Sequence, residues 1–352
     1  MSRNRYEEGI KMSLSSMLKG SSESDKKFQN IIKEILPPKE AFYTLSRKKP
    51  FSSEYNTLVE NNLSNSYKVT LAGTAFDYMA RFIIAKETIH YKENAFLHLI
   101  AHKGLIILKD AVDANLYKKL ENRYIDGMGQ IIEYIYSDGN EIAMIKDFEY
   151  KEDFCAFSNC IDKMAKKNYT YKVEFNKLLE FSCFLARLEH ISRSKKLPED
   201  VNLLFGSMDD MDLIADLKLL CNVFINTFLN GGILKKNSYV IYNPTFGICS
   251  KLCNGADADV FIDGILYDFK TAKSNGYSWK DTAQIISYYI FNCIADEKDI
   301  KNAPLAKYEI EKIALYKARF GEIEYFDTNK IDATELENTV DKLFDYFKSR
   351  NV

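Results

Sequence analysis

The stretch GADADVFIDGILYDFKTAK, from Gly255 to Lys273, contains two extended apolar runs on either side of Asp263-Gly264. An Asp-Gly pair between alternating apolar residues is the strongest short-range signal for a two-residue β-hairpin. We therefore predict two paired strands, over 257–262 and 265–271. The hairpin decides the fold class, because it adds a sheet to a chain whose apolar spacing from about 73 to 230 is mostly helical.

The tight turn also determines which side chains face one another across the hairpin. Counting back from a two-residue loop pairs Asp259 with Asp268, and alternation puts Asp257 and Lys270 on the same face. The other face is apolar apart from one hydroxyl and carries Ala258, Val260, Ile262, Ile265, Tyr267 and Phe269. Because opposed carboxylates repel, a cation is expected between Asp259 and Asp268. Mg²⁺ or Mn²⁺ suits this geometry, since a small hard ion binds carboxylates and keeps open positions for water and substrate phosphate.

An isolated D-x(8)-D-x-K string is more often a solvated sheet face, on which one lysine neutralises an acidic patch. Three features favour the metal site over that alternative here. The register is fixed by the turn, the reverse face of the hairpin is apolar, and the next element carries further polar groups at helical spacing.

That next element is an amphipathic helix predicted from about 280 to 294. Gln284 and Tyr288 stand one turn apart at the edge of its apolar stripe. An amide and a phenol at this spacing could position a phosphate or the neighbouring Lys270. The alternative is a half-exposed helix flank with no role in chemistry.

Taken together, Asp259, Asp268-Phe269-Lys270 and Gln284–Tyr288 resemble the D, DxK and QxxxY motifs of the PD-(D/E)XK nuclease superfamily, in its RecB-like branch. The resemblance implies that Asp259, Asp268 and the carbonyl of Phe269 hold Mg²⁺ or Mn²⁺. It also implies that Lys270 assists the attacking water, and that Gln284 and Tyr288 orient Lys270 or the scissile phosphate.

The same branch carries an upstream G-x-x-x-H helix whose histidine reaches the metal. This chain has Gly73-Thr74-Ala75-Phe76-Asp77 in a comparable place, with aspartate where the branch usually has histidine. The resemblance makes Asp77 a candidate metal ligand. Two structural alternatives stay open, namely a capping box formed by Thr74 and Asp77 and an i,i+4 ion pair between Asp77 and Arg81.

The implied fold is mixed α/β, with a central mixed β-sheet flanked by helices, a restriction-endonuclease-like core and a large all-helical insertion. Further strands are predicted over 237–243, 310–317 and 322–326, and a last helix from about 333 to 348. The expected division is a loosely packed N-terminal arm (1–64), the first helix of the nuclease core (65–90), the helical insertion (91–235), and the nuclease sheet with its closing helices (236–352).

The chain as a whole has no strong charge, with a net charge of −2 and a pI near 6.2 over 352 residues. Contact with nucleic acid must therefore come from local basic groups. Arg319, in an Arg-Phe-Gly turn, and Lys273, at the end of the hairpin stretch, are candidate contacts for substrate phosphate.

The resemblance implies DNA before RNA as the substrate. A single site cuts one strand, so cleavage of a duplex would need a homodimer, a larger complex or two successive events. A catalytically inactive nucleic-acid-binding or scaffold protein of the same fold is the rival function.

No apolar run approaches membrane-spanning length and the N-terminal residues are polar, so a soluble cytoplasmic protein is expected. Seven cysteines without a secretory signal are expected to be reduced thiols.

Overall fold

The computed structural model describes residues 13–88, 100–101, 103–104, 107–108, 175–198, 204, 210–299 and 301–350. Its helices are α1 (Leu14–Lys19), α2 (Glu23–Glu34), α3 (Ser66–Glu87), α4 (Phe175–Ser194), α5 (Met211–Phe224), α6 (Ile248–Leu252), α7 (Trp279–Ile294) and α8 (Ala333–Arg350). Its strands are β1 (Tyr43–Thr44), β2 (Val240–Tyr242), β3 (Val260–Ile262), β4 (Ile265–Lys270), β5 (Lys312–Lys317) and β6 (Glu322–Asp327).

The six strands form one mixed sheet in the order β1-β6-β5-β4-β3-β2. Strands β4 and β5 are parallel, and every other neighbouring pair is antiparallel. The parallel pair follows from connectivity, because α7 links β4 to β5 as a crossover helix. The mixed α/β class, the five strands expected in the C-terminal part and its two long helices are confirmed, and β1 is an edge strand that the pattern did not predict.

The chain forms two compact units. The first contains the described residues of Met1–Asn56, Ser238–Lys270 and Ser274–Val352, and therefore the whole sheet. The second contains the described residues of Thr57–Asn237 together with Thr271–Lys273. The expected nuclease helix at 65–90 is thus grouped with the helical segment and not with the sheet.

The core of the first unit lies between the sheet and its helices. Leu266 of β4 and Ile313 of β5 share one buried cluster with Ile286 and Ile290 of α7 and with Phe347 of α8. Alternate residues of β4 point to opposite faces, so Asp268 and Lys270 lie on the same face as Leu266. The face that carries the candidate catalytic groups is therefore the face that α7 covers.

The N-terminal segment does not behave as the loosely packed arm expected for 1–64. Leu14 and Met17 of α1 and Phe28 and Ile32 of α2 are buried in the same core cluster as the sheet. The amphipathic spacing of α2 explains this, because its apolar residues fall on one face of the helix. From Leu14 to Asn56 the chain is part of the first unit's fold.

We predict that Phe28→Ala destabilises the protein by about 3–5 kcal/mol, as expected for a fully buried aromatic side chain that is cut back to a methyl group. The ring of Phe28 packs against Tyr346 of α8, with centroids 5.6 Å apart. The measurement is urea unfolding of the full chain. Lys27→Ala, at the exposed neighbouring position, is the control, and equal unfolding midpoints for the two variants would contradict this packing.

The second unit is helical in its described part. The long helix α3 packs on α4 and α5, as shown by ring contacts of Phe82 with Phe181 at 5.9 Å and of Phe76 with Phe224 at 5.8 Å. Helix α5 continues into a π-helical turn over Ile225–Asn230. Much of the predicted all-helical insertion at 91–235 lies outside the described residues.

None of the helices in the described ranges combines the length and apolar character needed to cross a membrane. The described cysteines are all free thiols, at positions 183, 221, 249, 253 and 293. The reduced state of the cysteines stays a prediction.

Candidate active site

The turn of the β3–β4 hairpin has the geometry that its sequence predicts. Asp263 and Gly264 both have positive φ, at 45° and 88°, as a type I′ turn requires. The predicted register is confirmed along the ladder, whose pairs are Ile262–Ile265, Phe261–Leu266 and Val260–Tyr267.

Asp259 lies just before β3, beyond the end of this ladder. Its Oδ2 accepts a hydrogen bond from the backbone N–H of Phe269 at 2.5 Å. Asp259 and Asp268 were predicted to be partners in the ladder, and this prediction is wrong. The side chain of Asp259 accepts the hydrogen bond of the Phe269 N–H on β4 instead. Asp257 likewise leaves the hairpin and forms a bridge with Thr245. The two candidate ligands still lie at neighbouring positions of adjacent chain segments.

Lys270 lies at the centre of the candidate site. Its Nζ is 2.5 Å from Oδ2 of Asp268 and 3.1 Å from Oε1 of Gln284. A second carboxylate, Oδ1 of Asp281 on the first turn of α7, is 3.6 Å from the same nitrogen. The lysine thus joins the end of β4 to the start of α7.

Gln284 connects Lys270 to Tyr288. Its Nε2 donates to the Tyr288 hydroxyl at 2.8 Å, while its Oε1 accepts from the ammonium. This orientation of the amide is required, since an ammonium group can only donate. Tyr288 is buried and stacks on Phe246 with centroids 5.2 Å apart, so the alternative of a half-exposed flank is wrong for this residue.

Burial and neighbouring charges shift the pKa values of Asp268 and Lys270. The side chains of Asp268 and Lys270 are 5% and 18% exposed. Burial raises the pKa of Asp268, Lys270 opposes that shift, and the carboxylates of Asp281 and Asp257 add to it. Burial lowers the pKa of Lys270, but the carboxylates of Asp268 and Asp281 outweigh burial and hold the pKa above its ordinary value. Lys270 is therefore a protonated ammonium at neutral pH.

Four carboxylates act on this lysine or on its neighbour Tyr288 in the described part of the chain. Besides burial, the carboxylates of Asp268, Asp257 and Asp259 raise the pKa of the Tyr288 hydroxyl. The carboxylate of Asp281 is the fourth, beside the ammonium of Lys270. A bound divalent cation would offset the mutual repulsion of such groups.

The donor atoms fit Mg²⁺ or Mn²⁺ in type. The carboxylate oxygens are hard ligands, and Oδ2 of Asp268 is buried with no aligned hydrogen bond, its near neighbour being the ammonium of Lys270. Among the described residues, however, no three acidic, histidine or cysteine side chains already stand as a ligand group. Asp259 is bound to the Phe269 N–H and Asp268 to Lys270, so these side chains would have to exchange partners to hold a cation.

Asp77 belongs to the second unit, where its carboxylate pairs with the guanidinium of Arg81 one turn later in α3. The alternative of an i,i+4 ion pair is therefore confirmed. The capping-box alternative is wrong, because α3 begins at Ser66 with Asn65 as its N-cap. Asp77 is ion-paired in this structure as Asp268 is, and its role as a metal ligand stays a prediction.

The two candidate phosphate contacts have different surroundings. Arg319 is only 1% exposed, so its guanidinium is not available to a substrate in this structure. The turn after β5 buries this side chain instead of presenting it to solvent. Lys273 is exposed and belongs to the second unit, and its contact with phosphate stays a prediction.

Asp281 is the site residue that the sequence pattern did not identify. It lies three residues before Gln284 and seven before Tyr288, which is one face of a helix. Ser278 caps α7 by accepting a hydrogen bond from the N–H of Asp281 at 3.3 Å. Asp281 could have been identified from this helical spacing and from its place in the first turn of the predicted helix.

No protein-family model matches the chain, and comparisons with curated proteins and with solved structures find no match either. A function for this chain must therefore be inferred from the geometry of the site.

Proposed function

We propose that this chain is a metal-dependent nuclease that hydrolyses phosphodiester bonds, with DNA preferred over RNA. The observation that carries the proposal is the position of Lys270, in contact with the carboxylates of Asp268 and Asp281 and with the amide of Gln284. A purely structural sheet would avoid such a cluster, because carboxylates that lie close together on a buried surface repel one another and lose hydration.

The residues have separate roles in this proposal. Asp259, Asp268 and the carbonyl of Phe269 would hold Mg²⁺ or Mn²⁺, which when bound supplies positive charge to the scissile phosphate and acidifies a bound water. Lys270, kept protonated, offsets the charge that develops on the phosphate in the transition state. Gln284 fixes the ammonium of Lys270, and Tyr288 fixes the orientation of the Gln284 amide.

The finer features of the fold belong to the same proposal. The order of the sheet and the crossover helix between its parallel strands are compatible with a restriction-endonuclease-like core of the PD-(D/E)XK, RecB-like type. We further propose a cytoplasmic location. Cleavage of a duplex would take a homodimer, a larger complex or two successive cuts.

The test incubates the purified full chain with Mn²⁺ and plasmid DNA, single-stranded DNA or RNA, and measures nicked, linear and short products. Cleavage is expected for DNA, and chelation of the metal should abolish it. Lys312→Ala, on β5 with a half-exposed side chain, is a matched lysine control that should cleave like the wild type. Absence of cleavage with every substrate, with Mn²⁺ and in a parallel incubation with Mg²⁺, would refute the proposal.

A second candidate function is a nucleic-acid-binding or scaffold protein that keeps the fold without hydrolysis. It is favoured by one observation, namely that Lys270 itself already forms ion pairs with Asp268 and Asp281. The same incubation separates the two functions when a gel-shift measurement is added. Binding without Mn²⁺-dependent cleavage would support this second candidate.

A further inference from the structure

A buried ion pair lies on the two strands next to the hairpin, at the end of the sheet that carries Lys270. Lys317, the last residue of β5, is the register partner of Lys270 on β4. Its Nζ lies 3.5 Å from Oε2 of Glu324 on β6. The two side chains are 4% and 0% exposed, so neither charge faces solvent.

Each member of this pair also holds a loop. Lys317 Nζ donates to the carbonyl of Gly276 at 3.1 Å, in the loop between β4 and α7. Oε1 of Glu324 accepts from the backbone N–H of Phe51 at 2.8 Å and from the Tyr55 hydroxyl at 2.9 Å. One carboxylate and one ammonium therefore anchor two segments of chain to the same end of the sheet.

The loop held by Lys317 leads directly to the candidate site. The ring of Tyr277 meets the ring of Phe51 edge-on, with centroids 5.0 Å apart, which is a second contact between the two loops. Ser278, the next residue, is the N-cap of α7. Asp281 and Gln284, which both contact Lys270, follow in the first two turns of that helix.

Stability alone does not explain why charged residues occupy these buried positions. Burying two charges costs desolvation energy, and well-packed apolar residues of similar volume often stabilise a fold as well or better. An apolar residue at 317 could not, however, donate a hydrogen bond to the Gly276 carbonyl. An irregular loop needs such partners for its backbone groups, since it has no ladder or helix to supply them.

We propose that Lys317 is a positioning residue for the candidate active site. By holding the Gly276 carbonyl it sets where α7 begins, and hence where Asp281 and Gln284 stand beside Lys270. Glu324 holds the ammonium of Lys317 in place beside the loop. The effect on cleavage rests on the proposed function, whereas the effect on the start of α7 does not.

The test uses a double variant of the full chain that combines Lys317→Met with Glu324→Gln. The double change removes both charges of the pair together, and the glutamine that replaces Glu324 keeps a carbonyl oxygen for Phe51 and Tyr55. The link from residue 317 to Gly276 is lost with the ion pair. Lys317→Met alone removes the ion-pair partner of the buried Glu324 carboxylate. It is therefore expected to have a lower melting temperature than the double variant. Lys312→Met, at the opposite end of β5, is the matched control.

Two readouts separate positioning from stability. Hydrogen exchange with mass spectrometry should show about tenfold faster exchange in the segment 274–284 of the double variant, with the β3–β4 hairpin unchanged. Its kcat for DNA cleavage should fall about tenfold at an unchanged KM, because the groups around Lys270 are displaced while substrate contacts remain. Lys312→Met should match the wild type in both measurements.

A double variant that recovers stability and also shows wild-type exchange in 274–284 and wild-type kcat would overturn the proposal. Should the double variant fail to fold, Lys317→Gln replaces it, since its amide is one atom shorter and can still donate to Glu324. Wild-type exchange in 274–284 and wild-type kcat in that variant would overturn the proposal equally. If the wild-type protein does not cleave, the proposed nuclease function fails. The exchange data then decide alone whether Lys317 positions α7.

Discussion

Lys270→Met should lower the rate of Mn²⁺-dependent DNA cleavage by about a hundred- to a thousandfold. Methionine keeps the length of the stem but removes the ammonium that contacts Asp268 and Gln284. The transition state then loses a positive charge that acts in a poorly solvated site, where electrostatic stabilisation is large. Initial rates on plasmid and single-stranded DNA measure the loss.

The same variant should keep or increase its affinity for Mn²⁺, measured by calorimetry. The ammonium of Lys270 competes with a metal for Oδ2 of Asp268, so its removal frees that oxygen. This pairing of lost cleavage with retained binding distinguishes a catalytic role from a folding defect. Cleavage by Lys270→Met at the wild-type rate would mean either that another protein supplies the activity or that Lys270 has no part in it.

Asp268→Asn should abolish both Mn²⁺ binding and cleavage, with the rate falling on the order of a thousandfold. Asparagine preserves the shape of the side chain, but it replaces one hard anionic oxygen by an amide nitrogen. Because Asp268 is buried beside Lys270 and near Asp281 and Asp257, it has the most constrained position of the candidate ligands. Calorimetric titration with Mn²⁺ and the DNA cleavage assay are both required.

Asp263→Asn is the matched control for this experiment. It makes the same chemical change in the same hairpin, at the turn end of the strands, and asparagine tolerates the positive φ of 45° found there. This variant should bind Mn²⁺ and cleave DNA like the wild type. Equal losses in the two variants would show that the carboxylate of Asp268 has no special role.

The hairpin and the helix after it could be predicted from sequence because their signals are local. Asp263-Gly264 fixes a turn that needs two positive φ angles, and the register follows from the turn without reference to other parts of the chain. Gln284 and Tyr288 could be placed together because they lie one turn apart on a helix with a clear apolar stripe. For these elements local preference and tertiary packing agree.

The parts that sequence did not predict depend on contacts between distant segments. The strand β1 has only two residues, which form a strand because β6 offers them an edge. The burial of α1 and α2 depends on a surface made by residues more than two hundred positions later.

Within the hairpin, the position of the Asp259 side chain could not be predicted from the alternation of residues alone. Alternation put its side chain opposite Asp268, but the ladder ends at Val260 and the carboxylate binds the Phe269 N–H instead. Whether a strand continues for one more residue depends on competition between a backbone carbonyl and a side-chain oxygen for the same donor. That competition is not visible in the alternation pattern.

A divalent cation site formed by Asp259 and Asp268 beside Lys270 is the centre of the proposed chemistry. Anomalous diffraction from crystals soaked in Mn²⁺ tests it most directly. We predict a peak about 2.1 Å from one carboxylate oxygen of each aspartate, with the Lys270 ammonium moved away from Asp268. A map without a peak there at saturating Mn²⁺, with Lys270 still in contact with Asp268, would contradict it.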